Sequence, residues 1–321
     1  MIVRAWNLFH GNTSPPGRRH YLREMIELVT ADRPGIVCLQ EVPAWAIDKV
    51  GEWADMQYDG VRTRRAKVAK VPVPGFLGRR VTGMHAGLFR SAAAGQGNVI
   101  LVPKDAKIRE RKQITLNTNP FCEDEAEKLG LDAKMARRWQ RERRVCHLVK
   151  IELKNRRRIL VANLHASHFP DRRLADAELR RGAKFVDRAS ELEEIIVFAG
   201  DFNVTLEDSE TLRELTTRDY DAYSATGPAI DHVLVREGRA SDMRVWTDEE
   251  RTYDGKLLSD HAPVEIQLLG KARPKPPAAA AVHTPAEQPT EQPAPQKSED
   301  DERWETKETG FDESERWETP P

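Results

Sequence analysis

Ile196-Val197-Phe198-Ala199-Gly200-Asp201-Phe202-Asn203 joins an apolar run to a glycine, a carboxylate and a carboxamide. The run reads as a fully buried strand. Gly200 permits a turn where a Cβ would collide. Residues two apart in an extended segment point the same way, so Asp201 and Asn203 are expected to leave the strand side by side. An anionic oxygen next to a neutral donor and acceptor suits a hard metal ion and a phosphate oxygen. The competing reading is an Asp-Phe-Asn turn closed by Asx hydrogen bonds.

The pattern recurs along the chain. Apolar runs stop at polar side chains at Trp6-Asn7, Leu39-Gln40-Glu41, Asn163-Leu164-His165, Ile230-Asp231-His232 and Ser259-Asp260-His261-Ala262-Pro263-Val264. A single strand-terminal Asn or His is most often a cap or a structural hydrogen-bonding residue. Six such places are less readily accidental, because sites are built where buried strands end.

Strands are predicted at 2–7, 36–39, 98–102, 145–153, 158–164, 195–199, 229–235, 242–246 and 262–268. A further one at 107–116 is expected to pair with 98–102. Helices are predicted at 18–31, from Pro43 to about Ala54, at 123–142 with a weak point at Gly130, and at 171–190. Residues 61–95 read as a long basic excursion with one strand in 83–89. Many strands, few helices and long loops suggest packed layers with sheets inside.

The motifs resemble the endonuclease/exonuclease/phosphatase superfamily, which includes DNase I-like nucleases, exonuclease III-like enzymes, sphingomyelinases and inositol polyphosphate 5-phosphatases. The matching pieces are Trp6-Asn7, Leu39-Gln40-Glu41, Gly97-Asn98-Val99-Ile100-Leu101, Asn163-Leu164-His165, Gly200-Asp201-Phe202-Asn203, Ile230-Asp231 and Ser259-Asp260-His261-Ala262-Pro263-Val264. They stand in the family's order and span nearly all of residues 1–268. The resemblance implies a DNase I-like, four-layered α/β sandwich: two mixed β-sheets face to face, helices outside, and the site at one end. It also implies roles. Asn7, Glu41 and Asp260 would lie at a metal, Glu41 as a direct ligand. Asp201 and Asn203 would orient the attacking water and contact the scissile phosphate. His165 would donate to a phosphate oxygen, and His261, paired with Asp231, would be the general acid/base. His165 stands where exonuclease III-like enzymes carry tyrosine, which moves the resemblance toward the other branches. His232 departs from the more usual aromatic after the aspartate and is expected to be structural.

The chemistry of these residues agrees. Glu41, Asp201, Asp231 and Asp260 would put up to four negative charges in one pocket, beside an anionic substrate. Such a site needs cations, or some carboxylates take up protons. Mg²⁺ or Mn²⁺ with oxygen ligands supplies the charge and polarises the phosphoryl oxygen. Few cysteines and no paired-histidine spacing disfavour zinc. A histidine beside a carboxylate has a raised pKa.

The composition bounds the rest. The chain has 321 residues, 39% hydrophobic and 32% charged, with three cysteines (Cys38, Cys122, Cys146) at unrelated spacings. That argues against a disulfide framework and for a reducing, cytoplasmic setting. The first residues look like a strand rather than a signal peptide, and no apolar run is long enough for stable membrane insertion. The formal net charge of −1 hides an asymmetry: residues 271–321 carry 7 basic and 12 acidic side chains, net −5, leaving +4 on the rest. Residues 61–112 hold 13 basic and 2 acidic side chains, and 134–158 hold 11 and 2. Such segments attract polyanions.

The expectation is therefore a catalytic domain at 1–270 and a Pro-rich, acidic, disordered tail at 271–321. The tail repeats Glu302-Arg303-Trp304-Glu305-Thr306 at Glu315-Arg316-Trp317-Glu318-Thr319, a docking motif for a protein partner or a chance duplication. The expected activity is metal-dependent nuclease action on DNA or RNA. The alternatives are a phosphatase or phospholipid-type diesterase acting on a small substrate, and, less favoured, a non-catalytic interaction protein.

Overall fold

The computed structural model describes residues 1–64, 67–68, 71–72, 95–192, 194–218, 220–222 and 229–271. The strand expected in 83–89 and nearly all of the 271–321 tail lie outside the described residues. In chain order the main strands are β1 (Ile2–Asn7), β2 (Ile36–Pro43), β3 (Gln57–Arg64), β4 (Gln96–Val102), β5 (Lys107–Thr115), β6 (Val145–Glu152), β7 (Arg158–His165), β8 (Ile195–Asp201), β9 (Asp231–Arg236), β10 (Gly238–Ala240) and β11 (Val264–Lys271). The helices are α1 (Leu22–Thr30), α2 (Ile47–Ala54), α3 (Asn119–Lys128), α4 (Ala133–Trp139), α5 (Arg173–Ala189) and α6 (Glu210–Arg218).

One sheet has the order β10-β11-β1-β2-β4-β3, and the other runs from the short Asp221–Ala222 strand through β9-β8-β7-β6-β5. Parallel and antiparallel neighbours mix in both, since β1 runs parallel to β2 and β8 parallel to β7. The period of two decides the layering. Val3, Ala5, Ile36 and Cys38 of the first sheet meet Val161, Val197, Ala199 and Val233 of the second in one inter-sheet core. Alternate residues face out. Trp6, Val37 and Leu39 pack under Leu22, Met25, Ile26 and Val29 of α1. Leu160, Ile196 and Phe198 pack under Leu179, Ala183 and Val186 of α5. The result is the four-layered sandwich with helices outside that the sequence led one to expect.

Several elements differ from expectation. β5 pairs with β6 in the second sheet, not with β4. Its approach turns at Pro103–Ala106, where Ala106 N–H donates to the Pro103 carbonyl at 3.0 Å. That turn carries the chain from one sheet to the other instead of closing a hairpin. Pro43 ends β2, paired with Gln96, so the following helix starts only at Ile47. The helix expected over 123–142 is two. Gly130 adopts φ +65°, and Asp132 then caps α4 by accepting from Met135 N–H at 2.7 Å. β3 and α6 were not expected at all. The strand expected at 242–246 is only Arg244–Val245, against β11.

His147 lies on the inward face of β6, fully buried, with neither ring nitrogen hydrogen-bonded among the described residues. Burial lowers its pKa, only partly offset by the Asp59 carboxylate at 4.0 Å. Burial likewise lowers His232 and, further, His165. In the unfolded chain such imidazoles take protons below about pH 6.5; in the fold they stay neutral to lower pH. The unfolded state therefore binds more protons as pH falls through that value, and stability drops. Each group contributes a slope of up to about 1.4 kcal/mol per pH unit. Urea denaturation between pH 7 and 5 is expected to show this loss, with His147→Leu flattening it by about one proton's worth. An unchanged slope in that variant refutes the assignment.

Candidate active site

The strand registers bring the polar ends together. Asn7 stands opposite Gln40, Asp201 opposite both His165 and Asp231, and His165 opposite Val145. The Ser259–Pro263 segment leads into β11, whose Val264 pairs with Ala5 of β1. Every motif therefore lies at one end of the sandwich. Parity does the rest: Asn7, His165, Asp201 and Asp231 continue the inward-facing sets of their strands, so they crown the inter-sheet core.

Glu41 is off that parity. A register shift in β2 between Leu39 and Val42, with Glu41 itself at φ +53°, turns its carboxylate toward the others. Ser259 (φ +62°), Asn203 (φ +53°) and His10 (φ +54°) share the left-handed conformation. Left-handed backbone in side-chain-bearing residues is strained, and such strain clusters at functional sites. Beneath the site, Gln40 Nε2 donates to Asn163 Oδ1 at 2.8 Å, and Asn163 Nδ2 donates to the Leu39 and Val99 carbonyls at 3.0 Å. These buried amides tie the two sheets together where the catalytic-type residues emerge.

Asp201 sits at the centre. Its Oδ2 accepts from Asn7 Nδ2 at 2.9 Å, its Oδ1 accepts from Asn203 N–H at 3.0 Å, and its Oδ2 lies 3.5 Å from His165 Nε2 and 3.9 Å from His261 Nε2. The bond to Asn203 N–H is an Asx turn, the competing sequence reading of Asp201-Phe202-Asn203. The Asn203 side chain folds back instead of running beside Asp201. Its Nδ2 donates to the Ala166 carbonyl at 3.1 Å, and its Oδ1 lies 2.8 Å from His168 Nδ1. Asp231 Oδ2 holds His261 Nδ1 at 2.7 Å, while Asp231 Oδ1 is buried with no partner among the described residues. His232 faces the other way, bonded to the Val204 carbonyl at 2.9 Å and packed on Phe202.

Electrostatics follow from this crowding. Burial and the neighbouring Asp231 raise the Asp201 carboxyl to about 6. Burial opposes the His261 imidazolium, but Asp231, Asp201 and Asp260 together outweigh it and raise its pKa to about 10. His165 goes the other way: burial and then the Arg144 guanidinium hold it well below the ordinary histidine value, so it is neutral at pH 7. Asp260 is exposed. It adds charge beside His261 but stands outside the close group of Asp201, Asp231 and His261, whose ligand-type atoms lie within 4.8 Å of one another.

Four residues of the site went unrecognised in the sequence. His10 Nε2 meets Glu41 Oε2 at 3.1 Å. Arg144, only 6% exposed, lays Nη1 3.0 Å from His165 Nε2 and gives Nη2 to Glu142 Oε2 at 3.0 Å. His168 and Arg172 both hold Asn203, Arg172 through its carbonyl at 3.2 Å. Arg144 was visible only as one cation in a basic run; its place immediately before β6 was the available signal. Trp139, in the same basic run, anchors α4, fully buried with Nε1 donating to Glu178 Oε1 at 2.6 Å.

Among the described residues no helix is long and apolar enough to cross a membrane. No curated protein sequence matches the chain. Solved structures share its fold. An endonuclease/exonuclease/phosphatase from Bacteroides vulgatus is 16% identical, covering 84% of this chain and 98% of its own, with TM-score 0.59. A Bacteroides thetaiotaomicron mannosyl-6-phosphatase is 17% identical, covering 84% and 99%, with TM-score 0.56. A humanized D. rerio TDP2 is 15% identical, covering 84% and 98%, with TM-score 0.52. At such identities the likeness speaks for the fold. The family-level model of the Endonuclease/Exonuclease/phosphatase family, however, matches residues 5–261, the span that holds every polar strand end described above, and the chain belongs to that family.

Proposed function

We propose that this chain is a metal-dependent phosphoesterase and, within that class, a nuclease that hydrolyses phosphodiesters of DNA or RNA. The observation that carries the phosphoesterase reading is the pairing of two units at one mouth. The Asp201–His261–Asp231 group handles a proton, and the neutral His165 beside the buried Arg144 offers donors to an anion. Water attacks the phosphorus in line and gives its proton to Asp201, while the opposite P–O bond breaks and the departing oxygen takes a proton from His261. That carboxylate, at about 6, is mostly ionised at pH 7, whereas His261, at about 10, already holds its proton. The His261 imidazolium, Asn203 and His165 donate to phosphate oxygens, and Asp231 keeps His261 charged and oriented.

The donor set fits a divalent cation. A carboxyl lifted to about 6 by burial and a second carboxylate, together with the unpartnered Asp231 Oδ1, marks uncompensated negative charge. Glu41, with Asn7 and Asp260, would hold the ion, and Mg²⁺ or Mn²⁺ suits these oxygen ligands. The Asp201–Asp231–His261 trio is the tighter cluster, but its 2.7 Å bond commits His261 Nδ1 to Asp231, so we assign it the proton chemistry. When bound, the cation offsets charge on the phosphate and the leaving oxygen.

The preference for a polynucleotide rests on the exposed side chains of Lys134, Arg137, Arg138, Arg141 and Arg143, which lead along α4 to Arg144 in the site. A track of cations suits a phosphate backbone. Digestion of single- and double-stranded DNA and RNA with Mg²⁺ or Mn²⁺, with Asp201→Ala as control, tests this. Inert polynucleotides with phosphate released from sugar phosphates or inositol phosphates select the phosphatase alternative. No turnover of any phosphoester leaves an interaction protein. Arg144→Gln is expected to lower kcat about 10²–10³-fold, the usual cost of one oxyanion donor, with Arg144→Lys recovering part. Unchanged kcat in Arg144→Gln removes the guanidinium from the mechanism.

A further inference from the structure

Beside the Glu41 edge of the site lies a groove of about 560 Å³ between the start of α1 and α2, with Trp45 and Trp53 in its wall and Arg18, Arg19 and Lys49 around it. The two half-buried indoles meet edge to face at 6.3 Å, and the Lys49 ammonium stands 5.9 Å from the Trp45 ring. Four of the lining residues are Arg or Lys against two Glu. Half-buried aromatics ringed by charge are how protein docking surfaces are built, with large anchors inside a polar rim. Trp45 follows Glu41 by four residues, and Tyr21 N–H bonds the Gly11 carbonyl next to His10 at 2.8 Å, so the groove adjoins the site.

We propose that this groove is the docking site of the chain's own C-terminal repeat, Glu302-Arg303-Trp304-Glu305-Thr306 or its second copy at Glu315–Thr319. Each copy presents one indole with a glutamate two residues before it and one directly after it. Residues 298–321 carry 10 acidic and 3 basic side chains, net −7, which complements the cationic rim. The reach also fits. Lys271 ends β11, which runs antiparallel to β1, so the segment departs from the end of the sandwich opposite the site. A chain of 30 residues, the number from 272 to 301, would reach about 30 Å without being extended, close to the about 27 Å length of an eight-residue strand. A tether of that length supplies the repeat at an effective concentration in the millimolar range, and two copies share one groove. An anionic segment seated there repels a polyanionic substrate from the Glu41 side. That consequence rests on the nuclease reading; the docking does not.

Amide hydrogen exchange of the full chain is the test, with Trp304→Ala/Trp317→Ala as the variant. In the variant, exchange across residues 17–24 and 45–53 is expected to speed up at least about threefold, and 0.5 M NaCl is expected to do the same to the wild type by screening the charges. Lys49→Glu with Arg18→Glu, surface changes that leave the indoles in place, are expected to have the same effect. Identical exchange in wild type and Trp304→Ala/Trp317→Ala overturns the proposal. So does protection that appears only as protein concentration rises, which would make the occupant a second copy's segment. Turnover is read separately: loss of docking is expected to lower KM for a polynucleotide several-fold while hydrolysis of a small diester reporter stays constant. If polynucleotides are inert but the exchange difference is present, the nuclease reading fails and the docking stands.

Discussion

His261→Ala is expected to lower kcat for phosphoester hydrolysis about 10²–10⁴-fold, the range of a lost proton-transfer group. The imidazole is pinned by Asp231 at 2.7 Å and stands 3.9 Å from Asp201. Its removal deletes the one cation between two carboxylates. Two consequences separate this from simple damage. Asp231→Asn, which keeps the shape but loses the charge that holds His261 protonated, is expected to cost a substantial part of the same factor. In His261→Ala the limb of the pH–rate profile governed by Asp201 is expected to move above about 6, because His261 no longer favours the ionised form. A variant within threefold of wild type, with an unmoved profile, sinks the proton role. His261 is partly exposed, so its melting temperature is a fair control for folding.

Gly200→Ala carries the largest expected cost to stability. A Cβ there would stand 1.9 Å from the Leu164 carbonyl oxygen, and the residue has φ +140°. The obstacle is backbone of the neighbouring strand β7, paired in register with β8, so no side-chain rotation relieves it. Separation of the two strands breaks ladder hydrogen bonds and pulls Asp201 away from His165. The loss is expected at about 4 kcal/mol or more, with little folded protein at 37 °C. Gly130→Ala is the matched control: it also has positive φ, +65°, but nothing among the described residues stands within 4 Å of the added Cβ. It is expected to cost only about 1–2 kcal/mol of backbone strain. Urea midpoints of the two variants check the comparison; equal losses would refute the steric argument.

Different residues of the site differ in how legible they were. Asn7, His165, Asp201 and Asp231 were readable because each ends a run of strand-like residues, and alternation within one strand is a local property. Glu41 was readable as a motif residue but not as an inward-pointing one, since its parity is wrong and only the bulged, left-handed turn of β2 corrects it. Asn203 was expected beside Asp201, yet its positive φ sends it to Ala166 and His168. Arg144 was one arginine among many until β6 packed next to β7 and set the guanidinium against His165.

By itself, the order of apolar runs determined packed layers with sheets inside, and the motifs at the polar strand ends carried the family resemblance that implied a four-layered α/β sandwich with the site at one end. Local periodicity is enough for the layers, because side-chain alternation follows from backbone geometry alone. Tertiary structure decided what depends on contacts between residues far apart in the chain. It assigned β5 to the second sheet and joined Gln40 to Asn163 across the core. It also drove His261 toward about 10 and His165 far below its usual value from the same crowded pocket. A pKa is set by burial and by the charges that surround a group in space, and neither is written in the residues next to it in sequence.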